Sequence, residues 1–84
     1  MPTISIFYGI VIMMYLKDKE HNPPHIHAFY GNNSAVFKIE DSSLLAGNLP
    51  STAKRLVKKF IKKYKTELLK MWDSEIYQQL PGIE

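Results

Sequence analysis

HNPPHIHAFYG, residues 21–31, holds all three histidines of the 84-residue chain and two of its five prolines. Pro23 and Pro24 impose extended backbone geometry on the approach to His25. Residues 25–30 then alternate as a strand, and Gly31 with the two asparagines after it supplies the positive-φ positions that a hairpin turn needs. We therefore predict a stiff turn that leads into a strand of a small sheet.

The segment before this stretch is apolar on both of its faces. Residues 5–16 are mostly Ile, Phe, Tyr, Val and Met with a single Gly, a composition that predicts a first strand. The segment is shorter than the roughly 20 residues that span a bilayer, so we expect no membrane segment. One helix covers only one face of so small a sheet. The second face must be covered by loops, by the C-terminal tail or by another copy of the chain, which would make a homodimer.

The C-terminal half predicts a long helix. Ser51 is placed to accept a hydrogen bond as the N-cap, and Pro50 prevents the helix from extending backwards. The apolar residues that follow recur at the spacing of one helical face: Ala53, Leu56, Val57, Phe60, Ile61, Tyr64, Leu68 and Trp72. After Trp72 we expect a tail that packs back onto the core without a long regular element.

These segments together predict an α+β fold, in a single domain over residues 1–84. The expected architecture is an antiparallel meander of three to four strands packed against one long C-terminal amphipathic helix. The strands are predicted at about residues 5–16, 25–30, 34–39 and 44–47, and the helix at about residues 51–72.

The absence of cysteine limits the chemistry and indicates a compartment. It excludes a disulfide, a thiolate zinc site and a Cys nucleophile. It also fits a reducing environment, and the first residues lack the basic segment and small-residue cleavage site of a signal peptide. We therefore expect a cytoplasmic protein.

The histidines are the side chains best placed for shared chemistry. On a strand, His25 and His27 project from the same face, about 6.6–7 Å apart at Cα. They could bind a divalent metal, zinc or manganese, with His21 as the third ligand, or act as a catalytic acid–base pair on a phosphodiester. The structural alternative is that they hydrogen-bond a carbonyl or stack on a ring such as Phe29 or on a residue of the first strand. The sequence leaves all three open.

Positive charge is concentrated on the predicted helix. Residues 51–72 hold eight Lys or Arg and one acid, whereas the rest of the chain holds three Lys and seven acids. Such a face can follow a phosphate backbone or an acidic protein, but lysine is also the usual residue on a solvated helix face. A single Arg offers little of the bidentate contact that reads bases. The candidate nucleic-acid-binding residues are Lys54, Arg55, Lys58, Lys59, Lys62 and Lys63.

Several segments recur together in one known family. They are Met1-Pro2-Thr3-Ile4, Phe7-Tyr8-Gly9-Ile10, Met14-Tyr15, the core at residues 21–28, Tyr30-Gly31, Gly47-Asn48-Leu49-Pro50, and Glu67-Leu68 followed by Trp72. This pattern resembles the small bacterial family called domain of unknown function 4160. The resemblance implies a short single-domain protein, commonly encoded beside another small protein in an arrangement like that of toxin–antitoxin pairs. The resemblance implies no reaction. It also implies a helix with mixed polar side chains, whereas the predicted helix of this chain is strongly basic.

Two functions follow as hypotheses. The first is a binding module of a two-gene, toxin–antitoxin-like system, which acts through a small protein encoded by a neighbouring gene and through nucleic acid as a further partner. The second is a metal-dependent or His-based phosphodiester hydrolase that uses His21, His25 and His27. Whether the protein is an enzyme is left open by the sequence.

Overall fold

The computed structural model describes residues 3–15 and 23–83, which form a five-stranded antiparallel sheet and one C-terminal helix. The elements are β1 Thr3–Phe7, β2 Ile10–Met13, β3 His25–Tyr30, β4 Asn33–Lys38, β5 Leu44–Gly47 and α1 Ser51–Ser74. The strands pair in chain order from β1 to β5, so the sheet is a meander. The predicted α+β fold is confirmed, with one strand more than expected. Among the described residues, no helix has the length and apolar character needed to cross a membrane.

The additional strand arises because the predicted strand over residues 5–16 is a hairpin. Tyr8 and Gly9 both have positive φ, 51° and 78°, and together they turn β1 back onto β2. This two-residue turn pairs Phe7 with Ile10. Phe7 therefore shares a sheet face with Ile10, whereas uninterrupted alternation would place them on opposite faces.

Helix α1 covers one face of the sheet, called here the covered face. Most of its side chains are aliphatic or aromatic and almost fully buried, and Ser5, the register partner of Ile12, is a buried polar residue on the same face. The buried apolar side chains are Phe7, Ile10, Ile12, Ile26, Ala28, Ala35 and Phe37. The rings of Phe7 and Phe60 stack at 5.0 Å between centroids, which joins the sheet directly to the helix. Burial of this set against the helix removes apolar surface from water, which is the dominant stabilising contribution to folding.

The helix follows the predicted periodicity but begins differently. Seven of the eight predicted apolar positions are buried, Leu56 is partly buried, and Met71 is buried as well. Ser51 is not the N-cap as predicted, because Pro50 holds that position and no side chain caps the helix. The helix extends to Ser74, and at Tyr64 the backbone departs from helical geometry with φ −113° and ψ 21°.

The C-terminal tail packs back along the outer edge of β1, as predicted. The Leu80 amide donates a hydrogen bond of 2.7 Å to the carbonyl of Ile4. Gly82 lies against Phe7 so closely that an added Cβ would stand 2.5 Å from the Phe7 Cβ. Ile83 is buried, whereas Ile76, at the start of the tail, is 75% exposed. The tail therefore protects one edge of the sheet, and the β5 edge has no comparable cover among the described residues.

Candidate functional site

The face of the sheet opposite the helix, called here the open face, carries His25 and His27. The alternation of β3 places Ile26 and Ala28 in the core and turns the two histidines to the other side. Their ring centroids lie 5.3 Å apart with an interplanar angle of 63°. The predicted same-face pair is therefore formed.

His25 is the more constrained of the two. It is only 8% exposed, and its Nδ1 lies 2.8 Å from the carbonyl oxygen of Pro23. A carbonyl only accepts, so Nδ1 carries the hydrogen and donates it. The ring of Trp72, from the end of α1, lies 5.0 Å away. The Pro-Pro turn and the helix therefore fix the orientation of this imidazole from two sides.

His27 lies in an aromatic environment. The ring of Tyr15 meets it edge-on at 4.2 Å, and the ring of Phe29 is nearly parallel to it at 6.5 Å. Tyr15 is itself held by the hydroxyl of Tyr77, which donates to the Tyr15 carbonyl at 3.3 Å. A row of rings consequently runs from Trp72 through both histidines to Phe29. These contacts are those that the structural alternative predicts for both histidines.

The predicted three-histidine metal set is not assembled within the described part of the chain. His21 lies outside the described residues. Among residues 3–15 and 23–83, no group of three His, Asp or Glu side chains is placed to hold a metal ion. The described part of the predicted set is thus the pair of imidazoles, and a zinc or manganese ion would need at least one further ligand.

One charged residue stands beside the pair that the sequence did not single out. Lys38 is the cross-strand partner of His25 in the β3–β4 register, so both side chains project on the open face. Trp72 was also missed as a neighbour of the histidines, whereas Tyr15 belongs to the segment predicted as the first strand, whose residues were expected to stack on them. The position of Lys38 follows from the two-residue turn after Tyr30, which pairs Tyr30 with Asn33 and sets every later pair.

The predicted basic residues lie on the side of α1 that faces away from the sheet. One shallow groove on this surface is lined by Ser51, Lys54, Arg55, Lys58, Lys59 and Lys62. Lys63 extends sideways, with its Nζ 5.3 Å from the centroid of the Tyr64 ring. The structure therefore brings five of the six predicted residues together and places the sixth beside them. This surface and the histidine pair lie on opposite sides of the molecule.

A second groove borders this basic surface near the β4–β5 turn. Glu40 and Asp41 line it together with Lys62 and Lys65. Hydrogen bonds from the side chain and backbone of Ser43 hold the pKa of Asp41 below its ordinary value, so this carboxylate stays charged at neutral pH. The carboxylates of Glu40 and Asp41 therefore lie next to the end of the basic surface at Lys62.

Residues 9–73 match the model of the family described as Domain of unknown function (DUF4160). The matched region runs from the hairpin turn of β1 and β2 through the last turns of the helix, and it includes both histidines. No curated protein and no solved structure matches the chain.

Proposed function

The chain belongs to the DUF4160 family, and we propose that it is a binding module that holds a second small protein on the open face of its sheet. The partner is the protein encoded by a neighbouring gene, in the toxin–antitoxin-like arrangement that the family resemblance implies. The observation that carries the proposal is the composition of the open face, which is largely apolar and only partly buried along two of its cross-strand rows, with the charge of Lys38 beside His25 at one end.

Two cross-strand rows make up the apolar part of the open face, and the pair of His25 and Lys38 lies beyond them. One row runs from Ile6 through Val11 to Phe29, and the next runs from Met13 through His27 and Val36 to Ala46. Ile6 is 65% exposed, and most of the other members are partly buried. Contiguous exposed apolar surface of this kind usually marks an interaction site.

The β5 edge continues this surface. All four residues of Leu44–Gly47 are exposed, and Ala46 pairs with Val36, so the open face runs directly into this edge. An edge strand without a neighbour presents backbone groups to which an extended segment of a partner can add. A partner that offers an apolar surface and one strand would therefore satisfy both the face and the edge.

The test is co-purification of the chain with the product of the neighbouring gene. We expect a stoichiometric complex that Ile6→Lys weakens at least tenfold, because burying an unpaired ammonium costs more than about 1.4 kcal/mol. Ile76→Lys is the matched control, since Ile76 is equally apolar and 75% exposed but lies in the tail. Binding is measured by isothermal titration calorimetry.

Three results would contradict this proposal. They are the absence of any complex, equal weakening by Ile6→Lys and Ile76→Lys, and a homodimer that Ile6→Lys breaks while the neighbouring gene product does not bind. The last result, seen by light scattering, would assign the open face to a second copy of the chain.

A second candidate is a His-based phosphodiester hydrolase. It is favoured by the 5.3 Å pair of rings together with Lys38 across the strand from His25. One imidazole would accept the proton of the attacking hydroxyl, the other would protonate the leaving oxygen, and the ammonium group would offset the charge on the phosphoryl oxygens. A divalent metal, zinc or manganese, would use the same pair as ligands.

Elemental analysis and an RNA cleavage assay together test the two forms of the hydrolase proposal. The metal form predicts stoichiometric zinc or manganese that is lost in His25→Ala/His27→Ala. The metal-free form predicts RNA cleavage that the same double variant abolishes and that Lys38→Gln reduces. A protein without metal and without cleavage, whose double variant only unfolds at lower temperature, would exclude both forms.

A further inference from the structure

Positive charge on α1 is segregated along the helix axis. Residues 51–63 contain six Lys or Arg and no acid, whereas residues 65–74 contain two Lys and two acids. The boundary coincides with Tyr64, where the backbone leaves helical geometry. Residues 51–63 therefore form a regular helix whose charged side chains are all basic. These six side chains are called here the basic stripe.

The basic stripe consists of two parallel rows at i, i+4 spacing. Lys54, Lys58 and Lys62 form one row, and Arg55, Lys59 and Lys63 form the other. Successive members of a row are neighbours on the helix surface, about 6 Å apart along the axis, and the stripe is about 14 Å long. Lys54 and Lys58 are partly buried, which holds their stems against the helix, and the other four are exposed.

Within residues 3–15 and 23–83, the surroundings of the stripe leave its charge uncompensated over most of its length. The groove along it is lined by Ser51 and five of the cations, with no acidic side chain. The first turn of the helix also contains no acid. Glu40 and Asp41 lie beside Lys62 at the far end only. Like charges placed this closely repel one another, so an anionic ligand that lies along the stripe would be strongly favoured.

We propose that the basic stripe binds the phosphate backbone of double-stranded nucleic acid without reading its sequence. Over about 14 Å, one strand of a duplex presents about four phosphates, which matches two rows of three cations. Nonspecific binding also fits the single Arg, because the planar guanidinium of Arg suits bidentate recognition, whereas Lys contacts phosphate as a point charge.

The structure disfavours two other polyanions. Single-stranded nucleic acid is held largely by stacking on exposed aromatic rings, but Phe60, the aromatic residue within the stripe segment, is fully buried. A helix that binds an anionic membrane inserts its apolar face, but here that face, including Val57 and Ile61, is buried against the sheet. Only the charged side of the helix is available.

The experiment measures fluorescence anisotropy of two labelled 20-base-pair duplexes of unrelated sequence. We expect similar affinities for both duplexes and a plot of log K against log salt with a slope of about −3 to −4. Arg55→Gln/Lys59→Gln should weaken binding roughly 10- to 100-fold at 50 mM salt and reduce the slope by about 2. Lys65→Gln/Lys70→Gln removes the same charge beyond Tyr64 and should have a much smaller effect. All four positions are exposed, so both variants should fold.

Several outcomes would overturn the proposal. These are no binding at 20 mM salt, equal losses in the two double variants, tighter binding to the single strands than to the duplex, and equal binding to anionic vesicles or to a polyglutamate peptide. The stripe and the open face lie on opposite sides of the molecule, so Arg55→Gln/Lys59→Gln should leave binding of the partner protein unchanged. Failure of one proposal is therefore distinguishable from failure of the other.

Discussion

The two faces of one sheet differ in almost every property. On the covered face, Ile26 and Phe37 are completely buried and belong to the hydrophobic core. On the open face, their immediate chain neighbours His25, His27 and Val36 carry rings, hydrogen-bonding atoms and partly exposed surface. Strand alternation separates the two roles residue by residue. The covered face supplies stability, and the open face can carry a function because the fold does not depend on it equally.

The separation is incomplete at one end of the sheet. Trp72 is buried with the covered-face core, yet its ring lies 5.0 Å from that of His25 on the open face. The end of the helix therefore reaches around the start of β3 and contacts both sides. A substitution of His25 should therefore disturb the packing of Trp72 in the core, whereas a substitution of His27 should not.

The largest effect that would test this comparison comes from two adjacent residues of β4. Phe37→Ala should destabilise the protein by about 3–5 kcal/mol, because it leaves a large cavity among fully buried side chains. Val36→Ala on the open face should cost only about 1 kcal/mol. Urea unfolding measures both free energies of unfolding, with Phe37→Leu as a milder variant if Phe37→Ala does not fold. Equal losses for Phe37→Leu and Val36→Ala would show that the open face is part of the core.

Most of the fold could be predicted because its signals are local. Residues 25–30 and 44–47 form strands at the predicted positions, and the helix begins at the predicted residue. The periodicity of the hydrophobic residues indicates the type of each element, Gly31 marks the turn after the strand at residues 25–30, and Pro50 marks the start of the helix. The β4 strand, Asn33–Lys38, begins one residue before the prediction.

The hairpin at Tyr8 and Gly9 could not be predicted in the same way. No polar residue interrupts the apolar run there. Tyr8 has a φ of 51°, and a positive φ is uncommon for any residue other than glycine. The turn residues that usually mark a two-residue hairpin are Asn or Asp before Gly. Because of this turn, Ile6 pairs with Val11 and lies on the open face, whereas uninterrupted alternation would place Ile6 on the same face as Ile10.

The candidate site was predictable only in part. Strand alternation was sufficient to place His25 and His27 on one face. The contact with Trp72 depends on where a helix of 24 residues ends relative to the sheet, which is a tertiary property. Lys38 opposite His25 follows from the β3–β4 register, so an exact turn length would have revealed it.

The smaller effect that sharpens the comparison separates the two histidines. His25→Ala should lower the free energy of unfolding by about 1–3 kcal/mol, because it removes the 2.8 Å hydrogen bond and leaves the Pro23 carbonyl without that donor. His27→Ala should cost about 1 kcal/mol or less, since His27 is partly exposed and contacts the rings of Tyr15 and Phe29. His25→Asn retains an N–H donor and should recover part of the loss. Urea unfolding gives the stabilities, and tryptophan fluorescence gives a second readout, because Trp72 lies against His25 alone of the two. We expect the emission maximum of Trp72 to shift in His25→Ala and to stay unchanged in His27→Ala. A larger loss of stability or a larger emission shift in His27→Ala than in His25→Ala would mean that His27, and not His25, joins the open face to the core.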